Sequence, residues 1–425
     1  MPLITSHARL AEQYASYFTQ IRPDSPLQNR INPLTSKDLI PSICNRILTT
    51  SSMLVADVAA GRSDSSALEM LIMQTTEQER ERAGLTGADL IREVMDFLFG
   101  YGPLQALIED ESVSDIDGTR HFEFTIKRNG IREAIPAVFP DARTYDTFCR
   151  LVVIRNGGLI NENDSHCRVT DEQYRLRINV TVPPRSLAGP TISIRRHRRK
   201  PYSMVDLMDV GMLSAENGNL IQQMAQQGKT VLFCGKGAAG KTTLLRAFIE
   251  AMPQMERVLI AESDSELYPE KPYCLMQRIK KPHEGGHTLT LRDLIADGLT
   301  MSLDTYCIGE IVGSEAAEFI RAAYSGHRCL GTIHAESACD AIDRILSLAR
   351  TASQDESEDL LRRMLLRGLD YLIYLQDFRV SEIVSISNRQ TEENRYALAY
   401  LWPSDQNQTT DTAFDYPFEP LVSSA

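Results

Sequence analysis

The sequence predicts an α/β protein in three parts: a C-terminal domain on a mostly parallel sheet, a smaller α+β domain before it, and a helical N-terminal extension. Three observations predict this. From about residue 201 to residue 370, short apolar runs alternate with amphipathic helical runs, the order that builds a parallel sheet covered by helices. Before them, period-two stretches surround an Asn-Gly turn. Residues 1 to about 95 carry helical apolar spacing instead.

In the extension, LEMLIMQ and DLIREVMDFLFG set apolar residues three and four apart, until the Gly-Pro break of YGPL at Tyr101–Leu104. FEFTIKRNGIREA reads as two strands about Asn129 and Gly130, TYDTFCRLVVIRN as a helix, and YRLRINVTVPP and PTISIRRH as further strands. RRHRRKP, Arg195–Pro201, is a basic run that reads as a connection in which an arginine can face phosphate. TVLFCG is a strand, KTTLLRAFIEAM a helix stopped by Pro253, VLIAE and YCIGE buried strands, SEAAEFIRAAYSG a helix and CLGTIH another strand. DYLIYLQ, EIVSIS and YALAYLW read as an antiparallel extension. The expected limits are a helical extension at 1–92, an α+β domain at 93–196, a linker at 197–204, the parallel-sheet domain at 205–402 and a polar tail at 403–425.

Composition narrows the function. A net charge of −12 and a single Trp argue against a protein that coats nucleic acid, so no nucleic-acid partner is expected. No window reaches the roughly 18 apolar residues a bilayer span needs, and MPLITSHARLAEQY lacks the layout of a secretion signal. Eight cysteines without a CxxC pair fit a reducing cytoplasm better than a zinc site.

GKGAAGKT, Gly235–Thr242, matches G-x-x-x-x-G-K-[ST] at every fixed position, between a buried strand and a helix. In such a loop the backbone of Gly235, Lys236, Gly237, Ala238, Ala239 and Gly240 wraps a phosphate, and the helix start at Lys241, Thr242 and Thr243 adds a favourable field. Lys241 would reach the β- and γ-phosphates of a nucleotide, and the Thr242 hydroxyl would ligate Mg²⁺. Glu310 ends one apolar strand and Glu262 another. Parallel strands would bring both to one edge, where one carboxylate orients the attacking water and the other holds the metal shell. His327 and His334 lie on either side of CLGTIH, and a histidine past a strand's C-terminal end can bond the γ-phosphate and report its loss.

Four motifs in order carry a resemblance: GKGAAGKT; VLIAESDSEL with Glu262 and Glu266; CIGEIVGSEA with Glu310; and SGHRCLGTIHAES with His327 and His334. Together with YGPL, VSDI, INVTVPP and ISIRRH, they make residues 90 to 400 resemble the secretion ATPases of type IV pili and of type II and type IV secretion, and most of all the tight-adherence (CpaF/TadA) branch in a Gram-positive-like variant. The resemblance implies a RecA-like P-loop ATPase domain, ATP and Mg²⁺ as ligands, and a homohexamer on the cytoplasmic face of the membrane that acts on an integral platform protein. It implies Glu262 as catalytic carboxylate, Glu310 as Walker B carboxylate, and Arg195 or Arg196, then Arg177, as phosphate contacts. The sequence departs from the pattern at Ser263, at Val312 and in TMSLD, where many relatives have an acid or arginines; Arg278 and Lys280 can replace part of that charge. The readings set beside the motor are a nucleotide-gated scaffold with little turnover, a RecA-like translocase, and a nucleotide kinase or GTPase. N-K-x-D and L-S-G-G-Q are both absent.

Overall fold

A computed structural model describes residues 36–59, 63–82, 84–136, 138–280, 287–351, 356–387 and 397–402. The polar tail expected at 403–425 and residues 1–35 of the expected extension lie outside the described residues. The chain divides into two units, Met1–Arg198 and Arg199–Ala425.

The first unit is built on β1 (Val113–Arg120), β2 (Glu123–Arg128), β3 (Ile131–Ile135), β4 (His166–Asp171), β5 (Leu176–Thr181) and β6 (Thr191–Arg196). They form one antiparallel sheet in the order β3-β2-β1-β6-β5-β4. Asn129 and Gly130 turn β2 into β3 with φ of 48° and 84°, the left-handed pair that a tight two-residue hairpin needs. Alternation sorts the faces: Ile178, Ile192 and Ile194 are buried, while the residues between them face outward. The helix Ala142–Arg155 starts on Asp141, whose side chain accepts the Thr144 N–H, and it buries Phe148, Leu151 and Val152. The helices Ser36–Thr50 and Gly87–Phe99 belong to the same core: Ile43, Ile47, Leu90 and Phe97 cluster with Ile116, Phe148 and Ile178. Near residue 95 the element type therefore changes while the packing continues.

The second unit carries β7 (Val231–Gly235), β8 (Val258–Glu262), β9 (Cys274–Arg278), β10 (Thr305–Ile311), β11 (Arg328–Ile333), β12 (Tyr371–Gln376), β13 (Arg379–Ser387) and β14 (Ala397–Trp402) in the order β14-β13-β12-β7-β11-β10-β8-β9. All residues of β7, β8 and β11 are buried, as expected of strands covered on both faces. One expectation is corrected. DYLIYLQ enters the sheet in parallel, with Ile373 of β12 beside Phe233 of β7; the antiparallel pairings of the extension are β12 with β13 and β13 with β14. The helix Glu358–Gly368 is the crossover that returns the chain for parallel pairing. Parallel order puts Gly235, Glu262, Ile311 and Ile333 at one edge of the sheet.

Candidate functional site

The loop leaves β7 at Gly235, where φ is 149° and an added Cβ would lie 2.2 Å from the Leu375 carbonyl oxygen. Only glycine fits there. Gly240, at φ 95°, precedes the helix Lys241–Glu250 and supplies no side chain to cap it. The first amides of that helix therefore face the loop mouth, where Lys236, Gly237 and Ala238 are exposed. Ala238 takes φ 62°, an uncommon value for a residue with a side chain. Lys241 is buried, and its Nζ donates to the carbonyls of Gly235 and Lys236, both at 2.9 Å. Burial holds its ammonium below the ordinary lysine range, partly offset by the Glu310 carboxylate. Thr242 and Thr243 are half-buried on the first turn, and Ala239 is buried.

Glu310 is the exposed residue of a strand otherwise wholly buried. Its Oε1 lies 2.7 Å from Nε2 of His334, with both side chains 49% exposed. The His334 ring lies 3.7 Å from where a Gly237 Cβ would sit. The structure thus brings the loop, Lys241, Glu310 and His334 together, with Lys236 and Glu336 paired at 3.4 Å on the flank.

Glu262 reaches the same edge but is 5% exposed; its Oε1 accepts the N–H groups of Glu266 and Leu267, both at 3.1 Å, and so anchors the acidic turn. Arg278 ends β9 opposite Glu262 in the ladder, two residues before Lys280. His327 is not brought to this cluster. It precedes β11, whose six residues separate it from the loop edge by roughly 20 Å at about 3.3 Å per residue. There it meets Ser325 Oγ at 2.9 Å and stands edge-on to Tyr306 at 5.1 Å. In the first unit, Arg177 and Arg195 are ladder partners on the outward face of the sheet. Arg196 has the opposite parity, and its guanidinium donates to the Ile108 carbonyl at 3.0 Å.

Two contacts escape sequence reading. Glu315 Oε1 accepts the N–H groups of Val312 and Gly313, at 2.6 and 2.8 Å, and closes the turn after β10. The Thr332 hydroxyl donates to the Gly309 carbonyl at 2.7 Å. The available signal was a lone hydroxyl in the apolar run CLGTI.

Residues 160–371 match the family described as type II/IV secretion system protein. The chain belongs to this family of type II/IV secretion system proteins. A putative conjugal transfer protein of Mycobacterium tuberculosis is 25% identical over 244 residues, covering 56% of this chain and 69% of that protein. Type IV secretion system protein VirB11 of Bartonella quintana is 27% identical over 326 residues, covering 66% of this chain and 90% of its own length. The solved structure of the Legionella pneumophila ATPase DotB aligns over 69% of this chain and 77% of its own, at 18% identity and a TM-score of 0.47. The secretion-family match runs from the loop before β4 to the start of β12, so it includes Gly235–Thr242, Glu262, Glu310 and His334. Among the described residues of this family member, no helix is long and apolar enough to cross a membrane.

Proposed function

We propose that the chain is an ATP-hydrolysing motor of a secretion or pilus apparatus, with its site at Gly235–Thr242. The observation that carries this reading is the placing of Glu310 and His334, held together at 2.7 Å, against a glycine-cornered loop whose lysine is buried. A polyphosphate fits the residues present: helix-start amides and Lys241 supply positive field where the loop is exposed. A magnesium ion fits the Thr242 hydroxyl and the exposed Glu310 carboxylate, both oxygen donors. When bound, the ion neutralises charge on the phosphate oxygens. Lys241 exchanges its carbonyl partners for phosphate oxygens, and His334 passes from Glu310 to the γ-phosphate. We assign the orientation of the attacking water to Glu262. The same carboxylate holds the Glu266–Leu267 turn by accepting both of its N–H groups. Arg177 and Arg195 turn away from their unit's core, and we assign them the phosphate contact that the resemblance implies.

The finer reading is a homohexamer at the cytoplasmic face of the membrane that drives a platform protein of a tight-adherence-like pilus. A low-turnover scaffold is the second reading, favoured by Val312, 54% exposed where many relatives carry arginine. Glu310→Gln tests the site. The variant is expected to retain ATP through gel filtration while the wild type releases ADP; wild-type turnover in the variant would sink the assignment.

A further inference from the structure

The parallel pairing of β10 with β11 is regular as far as Ile308 and Gly331 and resumes at Ile311 and Ile333. Between these points β10 has two residues, Gly309 and Glu310, and β11 has one, Thr332. This is a bulge, uncommon between parallel strands and typical of places where a side chain is re-aimed. On its other side, the ladder of β10 with β8 ends at Ile308 and Ala261. The two bulge residues therefore lie beyond regular pairing on both flanks.

Two side chains hold them instead. The hydroxyl of Thr332, a residue only 1% exposed, donates to the Gly309 carbonyl at 2.7 Å. From β8, the Glu262 Cγ lies 2.8 Å from where a Gly309 Cβ would stand, so this side chain packs into the space that glycine leaves. Gly309 is thereby gripped from both neighbouring strands, and the next residue, Glu310, emerges from a strand that is otherwise buried. Its carboxylate meets His334, two residues beyond Thr332 on the same chain segment.

We propose that Thr332 is a positioning residue for Glu310: its hydroxyl replaces the missing ladder bond and fixes the direction in which the carboxylate leaves the sheet. The proposal rests on the assignment of Glu310 given above. The backbone at a bulge can take more than one path, and a carbonyl bond chooses one without touching the substrate.

The test uses the full chain with Thr332→Val, which keeps the shape and loses the donor, and Thr332→Ser, which keeps the donor. Thr332→Ala is carried in parallel as a second donor-free variant in case the valine protein does not fold. In the donor-free variants kcat is expected to fall roughly ten- to a hundredfold, the scale of a catalytic group displaced by about 1 Å. The KM for ATP should stay within about threefold, because Lys241 and the loop are untouched. Thr332→Ser should restore most of kcat. Crystal structures of the variants give a readout independent of turnover: the Glu310–His334 bond broken without the hydroxyl and kept with serine. Wild-type kcat in a folded donor-free variant, or an intact Glu310–His334 bond in its structure, overturns the proposal. If the wild-type chain shows no turnover, the ATPase reading fails, and the structures alone decide whether Thr332 positions Glu310.

Discussion

Lys241, Gly235 and Gly240 show how far single residues were legible. Their spacing in GKGAAGKT announces a loop that needs left-handed backbone, and the structure puts φ at 149° and 95° on the two glycines. Gly235→Ala would force a methyl to 2.2 Å from a carbonyl oxygen on the neighbouring strand β12, a backbone atom that cannot swing away. The expected cost is at least about 3 kcal/mol, read as a lower urea midpoint at unchanged slope; an unchanged midpoint would show that the strands are less tightly fixed than described. Other residues were not legible because their meaning depends on parity or register. Arg195 and Arg196 look equal in RRHRRKP, yet alternation sends one outward and the other to the Ile108 carbonyl. His327 and His334 look equal around CLGTIH, yet the strand between them sends them to opposite edges of the sheet. Ala238 gives no sign in the sequence that its φ is 62°.

Elements were more legible than their partners. Apolar runs bounded by helices located β7, β8, β10 and β11, and Asn-Gly fixed the β2–β3 hairpin, because these signals are local. The orientation of β12 was not local: it depends on the crossover helix and on the free edge of β7. The bulge at Gly309–Glu310 was hidden for the same reason, since a register shift exists only between two strands. A capped turn in the first unit gives an element-level test. Before β1, Asp110 accepts the Ser112 hydroxyl at 2.6 Å, the Ser112 N–H at 2.9 Å and the Arg128 guanidinium from β2. The Ser112 side chain first, then Arg128, pulls its carboxyl down to about 2. A depressed folded-state pKa stabilises above the ordinary carboxylate range and fades as pH falls through the folded value. Asp110→Asn should therefore lower Tm near neutral pH, with the gap to wild type closing between about pH 4 and about pH 2. A gap that ignores pH would mean that the carboxylate does not tie the turn to β2.

For the whole molecule, the family match from residue 160 to residue 371 takes in the loop, both carboxylates and His334, while the helices from Ser36 to Phe99 lie outside it. Those helices are nonetheless part of the first unit's core, so Phe97→Ala should destabilise that unit by about 3–5 kcal/mol, measured by denaturant unfolding. A loss below about 1 kcal/mol, the scale of a surface change, would mean the helices are an appendage.

The most direct measurement is steady-state ATP hydrolysis by the full chain and by Lys241→Ala, with mass determined by light scattering in the same samples. The account predicts turnover in the wild type that falls at least roughly a hundredfold in the variant, while the variant stays folded and the wild type with nucleotide has the mass of a hexamer. Equal turnover in the two proteins would contradict it, because the phosphates would then be handled somewhere other than the Gly235–Thr242 loop.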